Sequence, residues 1–148
     1  MLSKRNIAAL LIVLITLPAM ATDKTAYAPA KVVYDVASAN PDDLRHILDR
    51  ASLLQNLYGS DPFAASIVIV IHEGAIPLVT KADRNKRKGL VKRAHSLSLG
   101  EVIQFRLCRT SAKMQGFSQK DFDDFIKLVP MADAEIIQLQ HDGYAYLR

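Results

Sequence analysis

The apolar positions in the first half of the chain alternate between the spacing of a strand and the spacing of a helix. Lys31–Val36 is rich in β-branched residues and is predicted to be a strand. Asn40 and Pro41 then supply an N-cap and a first helical residue, and apolar side chains recur every three or four positions until Gly59. The continuous apolar run Ala65–Ile71 is typical of a central strand in a parallel sheet, which is covered on both faces.

The second half of the chain continues this alternation. Lys86–Leu97 is predicted to be a basic amphipathic helix, and Val102–Cys108 is predicted to be a strand. Ser118 and Asp121 have the spacing of a capping box and predict a short helix. The apolar face of that helix would consist of Phe122, Phe125 and Ile126. The remaining predicted elements are a short strand at Lys127–Val129, a helix that carries Ile136, Ile137 and Leu139, and a strand at Tyr144–Leu147.

Strands that are separated by helices form βαβ units, in which the strands run parallel. We therefore predict an α/β fold in three layers, α/β/α, with a four- or five-stranded and mainly parallel sheet. It would form a single domain over residues 31–148, because neither a repeat nor a linker divides that stretch.

Met1–Ala21 has the pattern of a cleavable secretory signal peptide. Two basic residues precede a short apolar core, and Ala19-Met20-Ala21 matches an A-x-A cleavage site. The apolar core, Ile7–Leu17, is shorter than the roughly 20 residues that span a membrane, and an uncleaved anchor or a buried helix is the alternative. We expect cleavage after Ala21, a flexible lead-in at residues 22–30, and a periplasmic or secreted protein.

The composition then narrows the possible chemistry. The chain has 148 residues, of which 50% are hydrophobic, and a formal net charge of +4, which loss of the leader would reduce to +2. Its one cysteine, Cys108, excludes an intramolecular disulfide and a multi-cysteine zinc site. The sequence contains no HxxxH, HExxH, G-x-G-x-x-G or P-loop pattern, so we expect neither a metal nor a nucleotide cofactor.

Ligands of parallel α/β proteins bind beyond the carboxyl ends of the strands. This rule selects three segments, which are Ala37–Ala39, His72–Gly74 and Cys108–Ser111. Cys108 lies where a strand ends and a loop or helix begins, and backbone N–H groups at such a point favour a thiolate. Arg106 is near it in sequence, although alternation along the strand could direct Arg106 to the other face. Cys108 is therefore either a nucleophile or a small, buried apolar residue.

Three segments of the chain resemble the DsrE/DsrF-like family of sulfur-relay proteins. They are the strand, cysteine, helix and glycine of Val102–Gly116, the strand and histidine of Ile67–Ile76, and the C-terminal Val129–Tyr146, which is most similar to secreted members. The resemblance implies a parallel α/β fold that assembles into homo-oligomers, either trimers or hexamers. It also implies that Cys108 accepts sulfane sulfur as a persulfide. The members with that activity work in the cytoplasm, whereas this chain carries a predicted signal peptide.

Four other residues are candidates to support Cys108 in that chemistry. Arg109 would stabilise the thiolate or an anionic donor, and the N–H groups of Thr110 and Ser111 would hold the same charge. His72 follows a buried strand and either takes a proton from Cys108 or orients a ligand, or is hydrogen-bonded to the backbone in a strand-end turn. Sulfur transfer needs one nucleophile and positive potential, so no cofactor is expected.

The segment Lys81–Arg93 contains seven basic residues and one acidic residue. It is either a solvated loop and helix face or a surface for an anionic membrane or partner. A secreted chain without interleaved aromatic residues is not expected to bind nucleic acid. Two functions remain. One is a periplasmic sulfane-sulfur carrier or sulfurtransferase that acts on a small anionic sulfur compound or a partner-protein thiol. The other is a non-catalytic oligomeric binding or assembly module with a structural cysteine.

Overall fold

The computed structural model describes residues 27–82 and 88–148, so the predicted signal peptide and most of the lead-in lie outside the described residues. The strands are β1 Ala30–Val36, β2 Ala65–Ile71, β3 Ile103–Cys108, β4 Ile126–Val129 and β5 Ala145–Leu147. The α-helices are α1 Pro41–Leu57, α2 Lys88–Ser98, α3 Arg109–Met114 and α4 Ala132–His141. Two 3₁₀ segments lie at Glu73–Val79 and Gln119–Asp121. None of the helices described is both long enough and apolar enough to cross a membrane.

The five strands form one parallel sheet in the order β4-β3-β2-β1-β5. β2 lies at the centre of the sheet, and every residue in it except Ser66 is buried. Burial on both faces explains why its sequence is a continuous apolar run and does not alternate. The predicted α/β fold with a parallel sheet is confirmed.

Helices cover both faces of the sheet. On one face, α1, α2 and the segment Glu73–Val79 pack on a large core that includes Ile67 and Phe105. On the other face, α4 packs on a smaller core that includes Val33 and Val70. Because successive residues of a strand point to opposite faces, each inner strand contributes to both cores. Cys108 belongs to the smaller core, beneath α4.

α1 begins where the sequence predicts. The Asn40 side chain accepts a hydrogen bond from the Asp42 N–H at 3.1 Å, and Pro41 occupies the first turn, where its missing N–H costs no intrahelical bond. Leu44 and Leu48 are fully buried against the sheet. Burial of such a side chain stabilises the fold by about 1.5–3 kcal/mol, so the apolar face, more than helix propensity, holds α1 in place.

The short helix predicted after Ser118 is only one 3₁₀ turn. Its capping box forms as predicted, with the N–H and Oγ of Ser118 donating to Asp121 Oδ2 at 2.7 and 2.9 Å. All three residues assigned to the apolar face of that helix lie outside it: Phe122 is fully buried in the larger core, Phe125 packs against that core, and Ile126 begins β4 opposite Phe105. Pairing with β3 supplies backbone hydrogen bonds that compete with a longer helix, and here tertiary structure overrides the local pattern.

Candidate functional site

The segments that follow β1, β2 and β3 meet at the carboxyl edge of the sheet. Gly74 lies so close to the first segment that an added Cβ would be 3.1 Å from the carbonyl oxygen of Ala37 and from the Cβ of Ala39. Gln115 Nε2 donates to the carbonyl oxygen of Glu73 at 2.8 Å, which joins α3 to the second segment. The three segments selected from the sequence are therefore neighbours in the fold.

Cys108 is the last residue of β3 and the N-cap residue of α3. It is a free cysteine whose exposed fraction is only 3%. It clusters with Val33, Val70 and Ala132 on the side of the sheet that α4 covers. The thiol is thus at the predicted edge of the sheet but is enclosed by packed side chains.

Hydrogen bonds converge on the sulfur of Cys108. Ser111 donates two of them, from its N–H at 3.4 Å and from its Oγ at 3.3 Å. The backbone N–H groups of Ala132 and Thr110 also contribute. Burial by itself raises the pKa of the Cys108 thiol, but these hydrogen bonds outweigh it, and the pKa lies below its ordinary value. The surroundings therefore favour the thiolate, although the side chain is buried.

Thr110 joins α3 to the corner between β4 and α4. Its N–H, at 3.3 Å, and its Oγ1, at 2.9 Å, both donate to the carbonyl oxygen of Pro130. Cys108 pairs with Val129, the residue before Pro130, across the β3–β4 ladder. The corner that leads into α4 therefore lies beside the cysteine and is tied to α3 through Thr110.

The ring of His72 is part of a hydrogen-bonded group that links β1, β2 and β5. Its Nε2 is 2.6 Å from Oδ1 of Asp35, and its Nδ1 is 3.8 Å from Oε1 of Glu73. The Tyr146 hydroxyl donates to Oδ2 of Asp35 at 2.5 Å. Both oxygens of this largely buried carboxylate thus have partners, and the ring of His72 is fixed by Asp35.

His72 is aligned with Cys108 in the pairing of β2 with β3, but its ring bonds to Asp35 on β1, the strand on the other side of β2. Ile71 pairs with Leu107, so extending that register by one residue aligns His72 with Cys108. Asp35, however, is on β1, across β2 from the cysteine. The ring is thus hydrogen-bonded at the end of its strand, but its partner is the carboxylate of Asp35 and not the backbone group that the alternative expected. Proton exchange with Cys108 stays a prediction.

Arg106 points to the same face of the sheet as Cys108, because residues two apart along a strand share a face. The expectation that it could lie on the other face is wrong for that reason. Its Nη1 donates to Oε1 of Glu135 on α4, and its Nη2 donates to Oε1 of Gln104 at 3.2 Å. Its guanidinium is therefore engaged in holding α4 to the sheet.

Arg109 is exposed and lines a cavity of about 320 Å³ with Lys113, Phe117 and Leu128. Arg109 and Lys113 lie one helical turn apart on α3, so their charges face the same side. Within the described part of the chain, neither side chain has an ion-pair partner. The cavity thus combines two available positive charges with apolar walls.

Several members of this site had little or no signal in the sequence. Asp35 is a carboxylate within a largely buried strand, and it is the one residue from which the sequence could have indicated a buried hydrogen-bonded group at His72. The Ala132 N–H and the Pro130 carbonyl are backbone groups that only the fold brings to Cys108 and Thr110. Among residues 27–82 and 88–148, no group of three or more His, Cys, Asp or Glu side chains could hold a metal ion.

A family model and solved structures both match most of the chain. The model of the DsrE/DsrF-like family matches residues 30–148. A solved structure of a protein of unknown function from Methanobacterium thermoautotrophicum, MTH1491, is similar with a TM-score of 0.62 and 19% sequence identity, covering 80% of this chain and 98% of that one. No match was found among curated proteins. At this identity the structural likeness bears on the fold alone.

Proposed function

The chain belongs to the DsrE/DsrF-like family, and from that membership we propose that it is a sulfur-handling protein that carries or transfers sulfane sulfur on Cys108. One observation carries the proposal: the N–H and the Oγ of Ser111 both donate to the Cys108 sulfur, and the pKa of the thiol lies below its ordinary value. The thiolate is the form that attacks a sulfane sulfur, and these donors favour it.

The proposed reaction needs only the cysteine and two substrates. The Cys108 proton leaves to solvent, and the thiolate then attacks the outer sulfur of a donor. A new S–S bond forms to Cys108, while the S–S bond of the donor breaks and its remainder leaves as an anion with the electron pair. An acceptor thiolate later attacks the outer sulfur of the Cys108 persulfide, and the Cys108 thiolate is the leaving group. The hydrogen bonds to Cys108 stabilise it at both stages.

The proposed donor is a small anionic sulfur compound, and the positive charge on α3, the helix whose N-cap is Cys108, supports this choice. Arg109 and Lys113 offer positive charge there, so we assign Arg109 to the donor anion. A partner-protein thiol is the proposed acceptor. The basic segment Lys81–Arg93 has less support as a surface for anionic membranes, because Lys81 donates to the Lys120 carbonyl and Arg93 pairs with Asp49.

The alternative function is a non-catalytic binding or assembly module. The observation that favours it is the 3% exposure of Cys108, which is typical of a structural cysteine. Under either function we propose a periplasmic or secreted location, from the predicted leader, and a homo-oligomer of three or six chains, from the family. Light scattering should then give a mass well above that of the monomer, and a monomeric mass would contradict the proposed assembly.

Mass spectrometry after treatment with inorganic polysulfide tests the sulfur function directly. Because Cys108 is the only cysteine, a gain of one sulfur atom in the native protein reports a persulfide at that residue. Cys108→Ser is the control and should gain none. Transfer is then read as loss of that sulfur to a small-molecule thiol. A wild-type thiol that takes up neither sulfur nor an alkylating reagent until the protein is denatured would favour the assembly module.

A further inference from the structure

We propose that Thr110 is a positioning residue that holds the start of α4 against Cys108 and so controls when a sulfur donor reaches the thiol. The proposal rests on the proposed function of Cys108 and adds the means of access to it. Thr110 makes two hydrogen bonds to one carbonyl group, that of Pro130, through its N–H and its Oγ1. Pro130 lies two residues before Ala132, which clusters with Cys108 in the smaller core and whose backbone N–H helps to lower the pKa of the thiol.

The start of α4 lacks a side-chain cap, and the contacts that hold it are the bond from Arg106 to Glu135 in the first turn and the burial of Ala132 in the smaller core. Helices commonly begin at a residue whose side chain accepts a hydrogen bond from the first turn. The N-cap residue of α4 is Met131, which makes no such bond and is 48% exposed. β4, which leads into this corner, is an edge strand of four residues that pairs only with β3. The Thr110–Pro130 contact is not a cap, because Thr110 donates to a carbonyl that precedes the helix, but it ties the residue two positions before α4 to α3.

Reaction at Cys108 requires this corner to move. The side chain is 3% exposed in a close-packed core, and a persulfide places a second sulfur atom on it. α3 is covalently continuous with Cys108, so the two hydrogen bonds from Ser111 accompany the thiol in any such movement. Separation of the corner at Pro130–Ala132 breaks the Thr110 bonds and takes Ala132 out of the smaller core, while Arg106 keeps Glu135 bonded to the sheet. When the corner opens at Thr110, the Cys108 sulfur becomes accessible and keeps its two hydrogen bonds from Ser111.

Native-state alkylation of Cys108 as a function of pH tests the proposal. Thr110→Val removes the hydroxyl donor and should raise the rate at the high-pH plateau, where the thiol is fully ionised, by about fivefold to tenfold. Its midpoint pH should rise slightly, because the Ala132 bond forms for less of the time. Thr110→Ser keeps the hydroxyl and should restore the plateau rate and the midpoint pH to those of the wild-type protein. A merely structural role for Thr110 would raise the plateau rate only as far as the substitution lowers the free energy of global unfolding, which denaturation of the same variant measures.

Thr80→Val is a matched control, since Thr80 Oγ1 also donates to a proline carbonyl, that of Pro77, at 3.2 Å and away from the cysteine. Its plateau rate should stay within about twofold of wild type. A Thr110→Val plateau equal to that of Thr80→Val would overturn the proposal. If Thr110→Val accelerates alkylation but polysulfide leaves no sulfur on either protein, the access control stands and the proposed sulfur function fails.

Hydrogen exchange on the wild-type protein gives a test that does not depend on any variant folding. The amides of Thr110 and Ala132 should exchange at least about tenfold faster than that of Leu107 in β3, because the corner opens without global unfolding. Equal exchange at all three amides would mean that Cys108 becomes accessible only when the whole protein unfolds, and it would also overturn the proposal.

Discussion

Ser111 donates two hydrogen bonds to the sulfur of Cys108, from its N–H at 3.4 Å and from its Oγ at 3.3 Å. The two residues have the spacing of an N-cap and the third residue of a helix, so the sulfur takes the place that a serine or aspartate oxygen usually holds. A thiolate accepts such bonds better than a thiol. The helix start that follows β3 therefore both terminates the strand and favours the reactive form of its last residue.

Replacement of Ser111 by alanine should slow the reaction of Cys108 at neutral pH. The hydroxyl bond that helps to lower the pKa of the thiol is lost, so the pKa rises and the thiolate fraction at pH 7 falls. We expect an alkylation rate about fivefold lower at pH 7 and an unchanged rate at high pH, where the thiol ionises in both proteins. Measured pH–rate profiles check this.

The matched control for that substitution is Ser96→Ala in α2, where the lost hydroxyl bond is to the Lys92 carbonyl. Its profile should overlay that of wild type. In wild type the midpoint should lie below about 8.5, the value of an unperturbed cysteine. A wild-type midpoint at or above that value would contradict the role assigned to Ser111.

Substitution of His72 by glutamine should lower stability and leave the reactivity of Cys108 unchanged. The ring is held by Asp35 on the neighbouring strand, so its loss leaves a largely buried carboxylate with one partner fewer. We expect the free energy of unfolding to fall by about 1–2 kcal/mol, as measured by denaturation. The exposed His46→Gln should have little effect. A shift of the Cys108 pH–rate midpoint in the His72 variant would instead favour proton exchange between the two residues.

Glu135→Gln should destabilise the packing of α4 on the sheet. Arg106 and Glu135 each expose only 18% of the side chain, and Nε of Arg106 is already buried with no hydrogen-bond partner in the described structure. Removal of the carboxylate charge leaves a guanidinium without its counter-ion, which should cost about 2 kcal/mol in the free energy of unfolding.

The control for the Arg106–Glu135 pair is Asp49→Asn, which breaks the more exposed ion pair with Arg93. That change should cost less than about 1 kcal/mol, since solvent screens the pair. Chemical denaturation of both variants gives the comparison. Equal costs would mean that the Arg106–Glu135 pair adds nothing beyond a surface ion pair.

The features that could be predicted from the sequence are those that depend on near neighbours along the chain. The cap of α1 at Asn40, the apolar run of β2 and the end of β3 at Cys108 are local patterns, and each is found as predicted. The enclosure of Cys108 could not be predicted in this way, because it depends on the corner at Pro130, which lies 20 residues beyond Thr110 along the chain. Strand pairing brings that corner to the cysteine, and no pattern near Cys108 encodes it.

The placement of Ile126 in β4 likewise depends on strand pairing and not on its neighbours in sequence. It has the spacing of a helical apolar residue after the Ser118 capping box, yet it opens β4 because β3 offers a partner at Phe105. Local propensity favours one conformation, and the hydrogen bonds of a parallel ladder favour the other.

The leader prediction is tested on the exported protein. Edman sequencing or mass spectrometry of the mature chain should give Thr22 as the first residue, because cleavage is expected after Ala21. Replacement of Ala21 by a bulky residue such as leucine should block processing and leave the longer chain. Recovery of wild-type protein that retains Met1 and the apolar segment would contradict cleavage and favour an anchor.

The capping box at Ser118 should make stability depend on the charge of Asp121. Hydrogen bonds from the backbone and then the side chain of Ser118 lower the pKa of Asp121 in the folded protein. A carboxyl group whose pKa is lower when folded stabilises the protein above its unfolded pKa, and that contribution is lost as the pH falls through the folded pKa. Asp121→Asn should therefore lower Tm at pH 7, and the difference from wild type should close in acid. The control is Asp124→Asn, which removes an exposed carboxylate three residues further along and should leave Tm nearly unchanged. A charge-dependent cap would be contradicted if the Tm difference between Asp121→Asn and wild type stayed constant down to the lowest pH at which the protein folds.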